Sequence, residues 1–170
     1  RDPTSFQRAI CANLAGNPNC AGIPPCTADS DCPLKEGKVA KCTGAGTSSA
    51  KCEYVNPVEV GLTIVNDKSC ASTSCDATQL TTVLQQLFPG AKITTVDVSS
   101  TEGKKLIKDL NLVYVPTYLF DSRMTQTEAW TTNTNIQGAF DKIGDSYKVK
   151  DSASGATYFI SDEKRKEALA

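Results

Sequence analysis

The chain has 170 residues, a formal net charge of −1 and 39% hydrophobic residues. That balance gives no reason to expect nucleic acid or an anionic membrane as a partner, and no apolar run approaches the length that spans a bilayer. Histidine is absent, which removes the commonest metal ligand and rules out Ser-His-Asp and Cys-His nucleophile arrangements.

Cysteine carries the compartment argument. There are eight cysteines, six of them from Cys11 to Cys52, spaced C-x8-C-x5-C-x5-C-x9-C-x9-C. None of these gaps is the tight C-x2-C pair that zinc sites favour, so a disulfide framework in an oxidising compartment is preferred over a metal cluster. The expected location is extracellular, periplasmic or at a cell surface. The start at Arg1 rather than methionine suits a processed N-terminus.

Thr4 to Leu14 is predicted to be a short helix, with Phe6, Ile10 and Leu14 on one face and a Thr4/Gln7 capping box. Gly16-Asn-Pro18 stops it, and Cys11 is expected to tether it to the cysteine-rich segment beyond. From Asn17 to Asn56 the composition shifts to Pro, Gly, Ser, Thr and Ala. Such a segment buries too little apolar area to offset its chain entropy, so it is expected to be mostly irregular and held by cross-links. Cys11, Cys20, Cys26, Cys32, Cys42 and Cys52 allow about 15 pairings, and spacing does not choose among them. Asp29 and Asp31 fit turn or capping roles better than calcium ligation. Asn56-Pro57 marks the boundary between a 1–56 module and a 57–170 domain.

Val58 to Val65 is predicted to be a strand. Asp76 is an N-cap with Gln79 three residues on, and Leu80, Val83, Leu84, Leu87 and Phe88 form a core-facing helical stripe ended by Pro89-Gly90. Ile93 to Val98 is a second strand. Ser99 or Ser100 caps a helix with Leu106, Ile107 and Leu110 inward and Lys104, Lys105 and Lys108 in water. Leu112 to Val115 and Thr117 to Phe120 are extended chain interrupted by Pro116, a residue that belongs at an edge or in a special bond. The strand–helix–strand–helix–strand order predicts parallel pairing. Further on, Glu128-Ala-Trp130 is expected as a strand, Thr125 to Asn135 as an exposed loop and Asn135 to Ile143 as a helix. Tyr147 to Val149 and Thr157 to Ile160 are β-like around a Ser154-Gly155 turn, and Asp162 to Ala170 is a charged terminal helix.

An apolar strand (Leu62-Thr-Ile-Val65), a cysteine pair (Cys70-Ala-Ser-Thr-Ser-Cys75), an amphipathic helix and Val115-Pro116-Thr117 before another strand together resemble the thioredoxin superfamily. The resemblance covers Leu62 to Asp121. It implies a thioredoxin-like α/β fold with a βαβαβ-type mixed sheet, behind the disulfide-rich N-terminal module. It further implies a Cys70–Cys75 disulfide, with Cys70 attacking and Cys75 resolving. The family also implies a cis peptide at Val115-Pro116, Pro116 shaping the site, and a Val115 backbone that pairs with an extended substrate. The chain departs from the family pattern in three ways. Its spacing is C-x4-C rather than C-x2-C, the tryptophan and Gly-Pro around the cysteines are missing, and Ile64 stands where the family places a buried carboxylate.

Three readings of the pair stay open: a loop staple, a thiol–disulfide exchange site and a metal or cluster ligand, the last lacking the further cysteine that the C-x4-C ferredoxin pattern needs. As an exchange protein the chain would have protein thiols and disulfides as partners. The alternative is a non-catalytic extracellular structural or self-assembling surface protein. No metal, other cofactor or phosphate loop is implied by any motif.

Overall fold

In the computed structural model, residues 6–8, 10, 11, 14 and 18–170 are described. The contacts divide the chain into two compact units, Arg1–Pro57 and Val58–Ala170. The capping box expected at Thr4 lies outside the described residues, as does part of the helix expected from Thr4 to Leu14. On that helix face Phe6, Ile10 and Leu14 are exposed.

The first unit is built around a hairpin of β1 (Val39–Thr43) and β2 (Lys51–Val55), with Cys42 directly opposite Cys52. Gly44 and Gly46 turn the chain between them at positive φ, where a side chain would be strained. Three bridges close the unit: Cys11–Cys20, Cys26–Cys42 and Cys32–Cys52, with Cα–Cα distances of 5.5, 5.8 and 5.6 Å. Its buried cluster is Cys26, Cys32 and Ala50, so the cross-links are themselves the core. Asp29 and Asp31 have the turn roles expected of them. Asp31 accepts from the Thr27 and Ala28 amides, and Asp29 accepts from the Cys42 amide at 2.7 Å and from Lys41 at 3.0 Å.

The second unit is a mixed α/β layer structure. Its strands β3 (Val60–Asn66), β4 (Ala91–Asp97), β6 (Thr117–Phe120), β7 (Phe140–Ile143) and β8 (Ser146–Val149) form one sheet in the order β4-β3-β6-β8-β7. Two short strands, β5 (Tyr114–Val115) and β9 (Tyr158–Phe159), pair separately. Strand alternation sorts the core onto two faces. Val60, Leu62, Ile64, Tyr118 and Phe120 pack against helix α1 (Thr78–Leu87), whereas Val65 and Leu119 pack against helix α2 (Thr101–Asp109).

The parallel pairing expected of this unit holds for β3 and β4 alone; β6 runs antiparallel to β3. Pairing of Thr117 with Val65 shows why. The segment after α2 returns the chain to the end of the sheet where β3 finishes, so β6 must start there and run the other way. The α1 stripe is also narrower than its spacing suggests. Leu84 and Phe88 are buried and Leu80 is partly so, while Val83 and Leu87 are 44% and 40% exposed. Leu80, Leu84 and Phe88, four apart, form the row packed on the sheet, and Val83 and Leu87 flank that row on its solvent side.

Three expectations between Thr125 and Ile143 are corrected. Glu128-Ala-Trp130 belongs to helix α3 (Glu128–Thr132), not to a strand, because Thr127 caps it. The expected loop from Thr125 to Asn135 is therefore largely helical. The helix expected from Asn135 to Ile143 is α4 (Thr134–Gly138), capped by Asn133 and followed directly by β7. Ile136, Ala139 and Phe140 still point into the core. The apolar spacing is met equally well by a short helix joined to a strand, so periodicity alone misses the change. Helix α5 (Asp151–Ser154) ends at Gly155 with φ 69°, and α6 (Asp162–Leu169) is wholly surface.

Among the described helices none is long and apolar enough to cross a membrane.

Candidate functional site

The loop that leaves β3 carries the Cys70–Cys75 bridge, with an S–S distance of 2.05 Å and Cα–Cα 6.3 Å. All eight cysteines are thus paired. Local polar chemistry shapes the loop. Asp67 Oδ1 accepts from the amide and hydroxyl of Ser69 at 2.8 and 2.6 Å, folding an Asx turn just before Cys70. Ser72 then caps the single 3-10 turn Thr73–Cys75, its Oγ accepting from the Ser74 amide. The cap expected at Asp76 falls one residue later: Ala77 is the N-cap of α1 and makes no side-chain bond, while Asp76 just before it accepts from the Thr78 amide at 2.9 Å. Two residues separate Cys75 from the helix, so neither sulfur sits in its first turn.

Two clamps hold the loop to the sheet. The Asn66 side chain donates to the Cys75 carbonyl at 2.8 Å and accepts from the Asp67 amide at 2.9 Å. Asp97, opposite Asn66 on the parallel neighbour, accepts from the Lys68 amide at 2.9 Å and from the Ser99 amide at 2.9 Å. Neither clamp is read from the sequence. The Asp-x-Ser pattern at Asp97 signals a turn, but only the β3–β4 register brings Lys68 to it. Gly103 belongs to the same corner: a Cβ there would sit 2.0 Å from the Asp97 carbonyl oxygen, so α2 can lie close to the end of β4 only without a side chain.

The two cysteines differ in burial. Cys75 is 6% exposed and Cys70 half-buried, and both border an open depression lined also by Asn66, Asp67, Ala71, Ser72, Thr73 and Asp76. Charge around them is mixed: Lys68 favours a thiolate and Asp67 and Asp76 oppose it. The Asp76 carboxyl is held below the usual carboxylate range by its hydroxyl and amide bonds from Thr78.

Pro116 lies between β5 and β6, and the Val115–Pro116 peptide is cis. Because Thr117 pairs with Val65, the start of β6 lies at the same end of the sheet as the loop after Asn66. Val115 is fully buried and its strand partner is Tyr158 of β9. One residue past Thr117, the Tyr118 hydroxyl donates to the Ala77 carbonyl at 3.3 Å, tying β6 to the entry of α1. Burial pushes its pKa up to about 12, against the bond from Thr81 and with help from the Asp76 charge, so it stays a neutral donor.

The Asp97 clamp gives a pH signature. Its bonds from the Ser99 hydroxyl, then the Lys68 and Ser99 amides, hold the carboxyl below its ordinary value. A depressed native pKa means the clamp is intact above the unfolded value of about 3.9 and is lost as pH falls through the native one. In an NMR titration the Lys68 and Ser99 amide shifts are expected to move together with a midpoint below about 3.9. A midpoint at or above that value would mean that Asp97 does not hold the loop.

No protein-family model matches this chain, and no curated protein or solved structure matches it either.

Proposed function

We propose that the Val58–Ala170 unit is a thioredoxin-like domain that exchanges disulfides at Cys70–Cys75, within an exported protein stapled by its other bridges. The observation that carries this reading is the place and asymmetry of the pair. It lies in the loop at the C-terminal end of a central strand, at the sheet end where β6 begins after Pro116, with Cys70 half-buried and Cys75 buried. An attacking sulfur must be reached by a partner, and a resolving one need not be.

The reaction balances through a mixed disulfide. A thiolate of a substrate dithiol attacks Cys70 Sγ, and the Cys75 thiolate leaves. The second substrate thiolate then attacks the sulfur it shares with Cys70. The substrate leaves as a disulfide, and Cys70 and Cys75 carry its two electrons as thiols. In this reading Pro116, at the same end of the sheet, shapes the site. The extended substrate implied for Val115 would have to take the place of Tyr158, its present strand partner. Four bridges and the lack of any spanning helix among the described residues suit an oxidising, extracellular setting.

A second reading has an observation of its own. Strand β4 is an edge of the sheet and carries exposed Ile93, which favours a non-catalytic, self-associating surface protein in which Cys70–Cys75 is one more staple.

A redox titration with differential alkylation and mass spectrometry separates the two. Exchange predicts that Cys70–Cys75 opens before the other three bridges, at a potential above the roughly −300 mV typical of structural ones. In a Cys75→Ser variant the Cys70 thiolate should then attack a partner's disulfide and hold it as a mixed disulfide while the partner's other sulfur leaves as a thiolate, and a Cys70→Ser variant should capture none. If the pair resists reduction as long as the others do, exchange is abandoned, and large assemblies on sizing or electron microscopy would favour the surface protein.

A further inference from the structure

The sulfurs of Cys26, Cys32 and Cys52 lie within 4.8 Å of one another although they belong to two different bridges. Cys42 lies outside that group but is tied to it, bonded to Cys26 at 2.04 Å and directly opposite Cys52 across the hairpin. We propose that these four cysteines, once their two bridges are reduced, form a closed tetrathiolate site for a soft divalent cation of the zinc type.

Geometry, burial and scaffold each support this. A tetrahedral Zn–S4 centre with bonds of about 2.3 Å has sulfurs about 3.8 Å apart. Cys26 Sγ already lies within 4.8 Å of the Cys32 and Cys52 sulfurs, so ligation asks that each bonded pair part by about 1.7 Å and that Cys42 Sγ, once released from Cys26, turn toward the other bridge. Cys26 and Cys32 are buried and Cys42 and Cys52 half-buried, as befits a structural site with no open position. The hairpin that presents Cys42 and Cys52 has a five-residue ladder, and Asp29 anchors it through the Cys42 amide without using any sulfur. This is the only such ligand group among the described residues. Its C-x5-C and C-x9-C gaps hide it in the sequence, because the hairpin rather than a tight C-x2-C turn gathers the ligands.

The chemistry balances with one external reagent. Each bridge takes two electrons from a dithiol, which also gives two protons and becomes a disulfide, or from a phosphine, which becomes its oxide while water supplies the oxygen and the two protons; either way two thiols form. The cation then displaces one proton from each thiol. Without metal, the core that the described residues of the reduced unit form is Ala50, the partly buried Ala40 and the thiols themselves. The cation therefore replaces the two bridges as the cross-link, and the unit keeps one fold in oxidising and in reducing surroundings.

The test uses the full chain, reduced anaerobically with a phosphine, and Zn²⁺ or Co²⁺ as the probe. Expected are one metal per chain by native mass spectrometry, thiolate-to-cobalt charge-transfer and tetrahedral d–d bands with Co²⁺, and no binding by the oxidised protein. Cys32→Ser and Cys52→Ser should each weaken binding by at least about a hundredfold, since four ligands share the free energy of a structural site. The paired changes Cys11→Ser/Cys20→Ser and Cys70→Ser/Cys75→Ser should leave it unchanged. Chelator competition reads these affinities whether or not the metal-free variants fold. The proposal is overturned if the reduced chain binds no metal, if Cys32→Ser binds within tenfold of the parent, or if binding follows Cys70 and Cys75.

Discussion

Phe120→Ala is expected to destabilise the Val58–Ala170 unit by about 3–5 kcal/mol, the range for emptying a large aromatic site in a packed core. Phe120 is fully buried in the central part of the sheet, where Leu62 and Tyr147 are its neighbours on the flanking strands. Its ring lies 4.9 Å from that of Phe88, the residue that closes α1, and 5.7 Å from that of Phe140 on β7. One side chain therefore joins the helix after the disulfide loop to the far edge strand. Deleting it leaves a cavity bounded by strands that cannot move inward without breaking their ladder. Urea unfolding followed by fluorescence reports it directly, because the single tryptophan, Trp130, stacks 5.9 Å from Phe140 in the same cluster. A loss under about 1.5 kcal/mol would show that the cluster collapses around the gap. The contrast is Val83→Ala on the exposed flank of α1, expected to stay within about 0.5 kcal/mol of the parent.

Removing the Cys32–Cys52 bridge by paired serine substitution should have a comparable effect on the other unit. The bridge spans 20 residues of sequence, and restricting a loop of that size contributes about 3 kcal/mol. The unit has little else to set against the loss. Its buried cluster is two cysteines and an alanine, and a two-stranded hairpin is marginal in water on its own. Hydrogen exchange of the oxidised variant is expected to show protection lost across Val39–Val55, while the amides of β3 and β6 keep theirs. Protection that survives in the hairpin would mean that the Asp29 bonds and the remaining Cys26–Cys42 bridge suffice to hold it.

Much of the second unit is written in local pattern. The strand expected at Val58–Val65 is found at Val60–Asn66, and that expected at Ile93–Val98 at Ala91–Asp97. Ser100 is the cap of α2, and α1 begins within one residue of the Asp76 cap expected, its N-cap being Ala77. β-branched runs, capping side chains and breakers act within a few residues of themselves, so they are legible without knowing the fold. A mixed α/β body behind a disulfide-rich segment is legible from the same signals.

Tertiary structure alone decided what depends on partners distant in sequence. It paired the six N-terminal cysteines, because loop entropy hardly distinguishes their alternatives whereas the hairpin fixes which sulfurs meet. It reversed β6 against β3 and inserted β8 between β6 and β7. It divided Asn135 to Ile143 between a helix and a strand, since apolar spacing records which residues face a core and not which backbone carries them there. It placed Asp97 on Lys68, a contact that exists only once the β3–β4 register is set. Side-chain periodicity is a property of each segment by itself, whereas pairing, register and the gathering of four sulfurs are properties of segments in contact, and only the folded chain supplies those contacts.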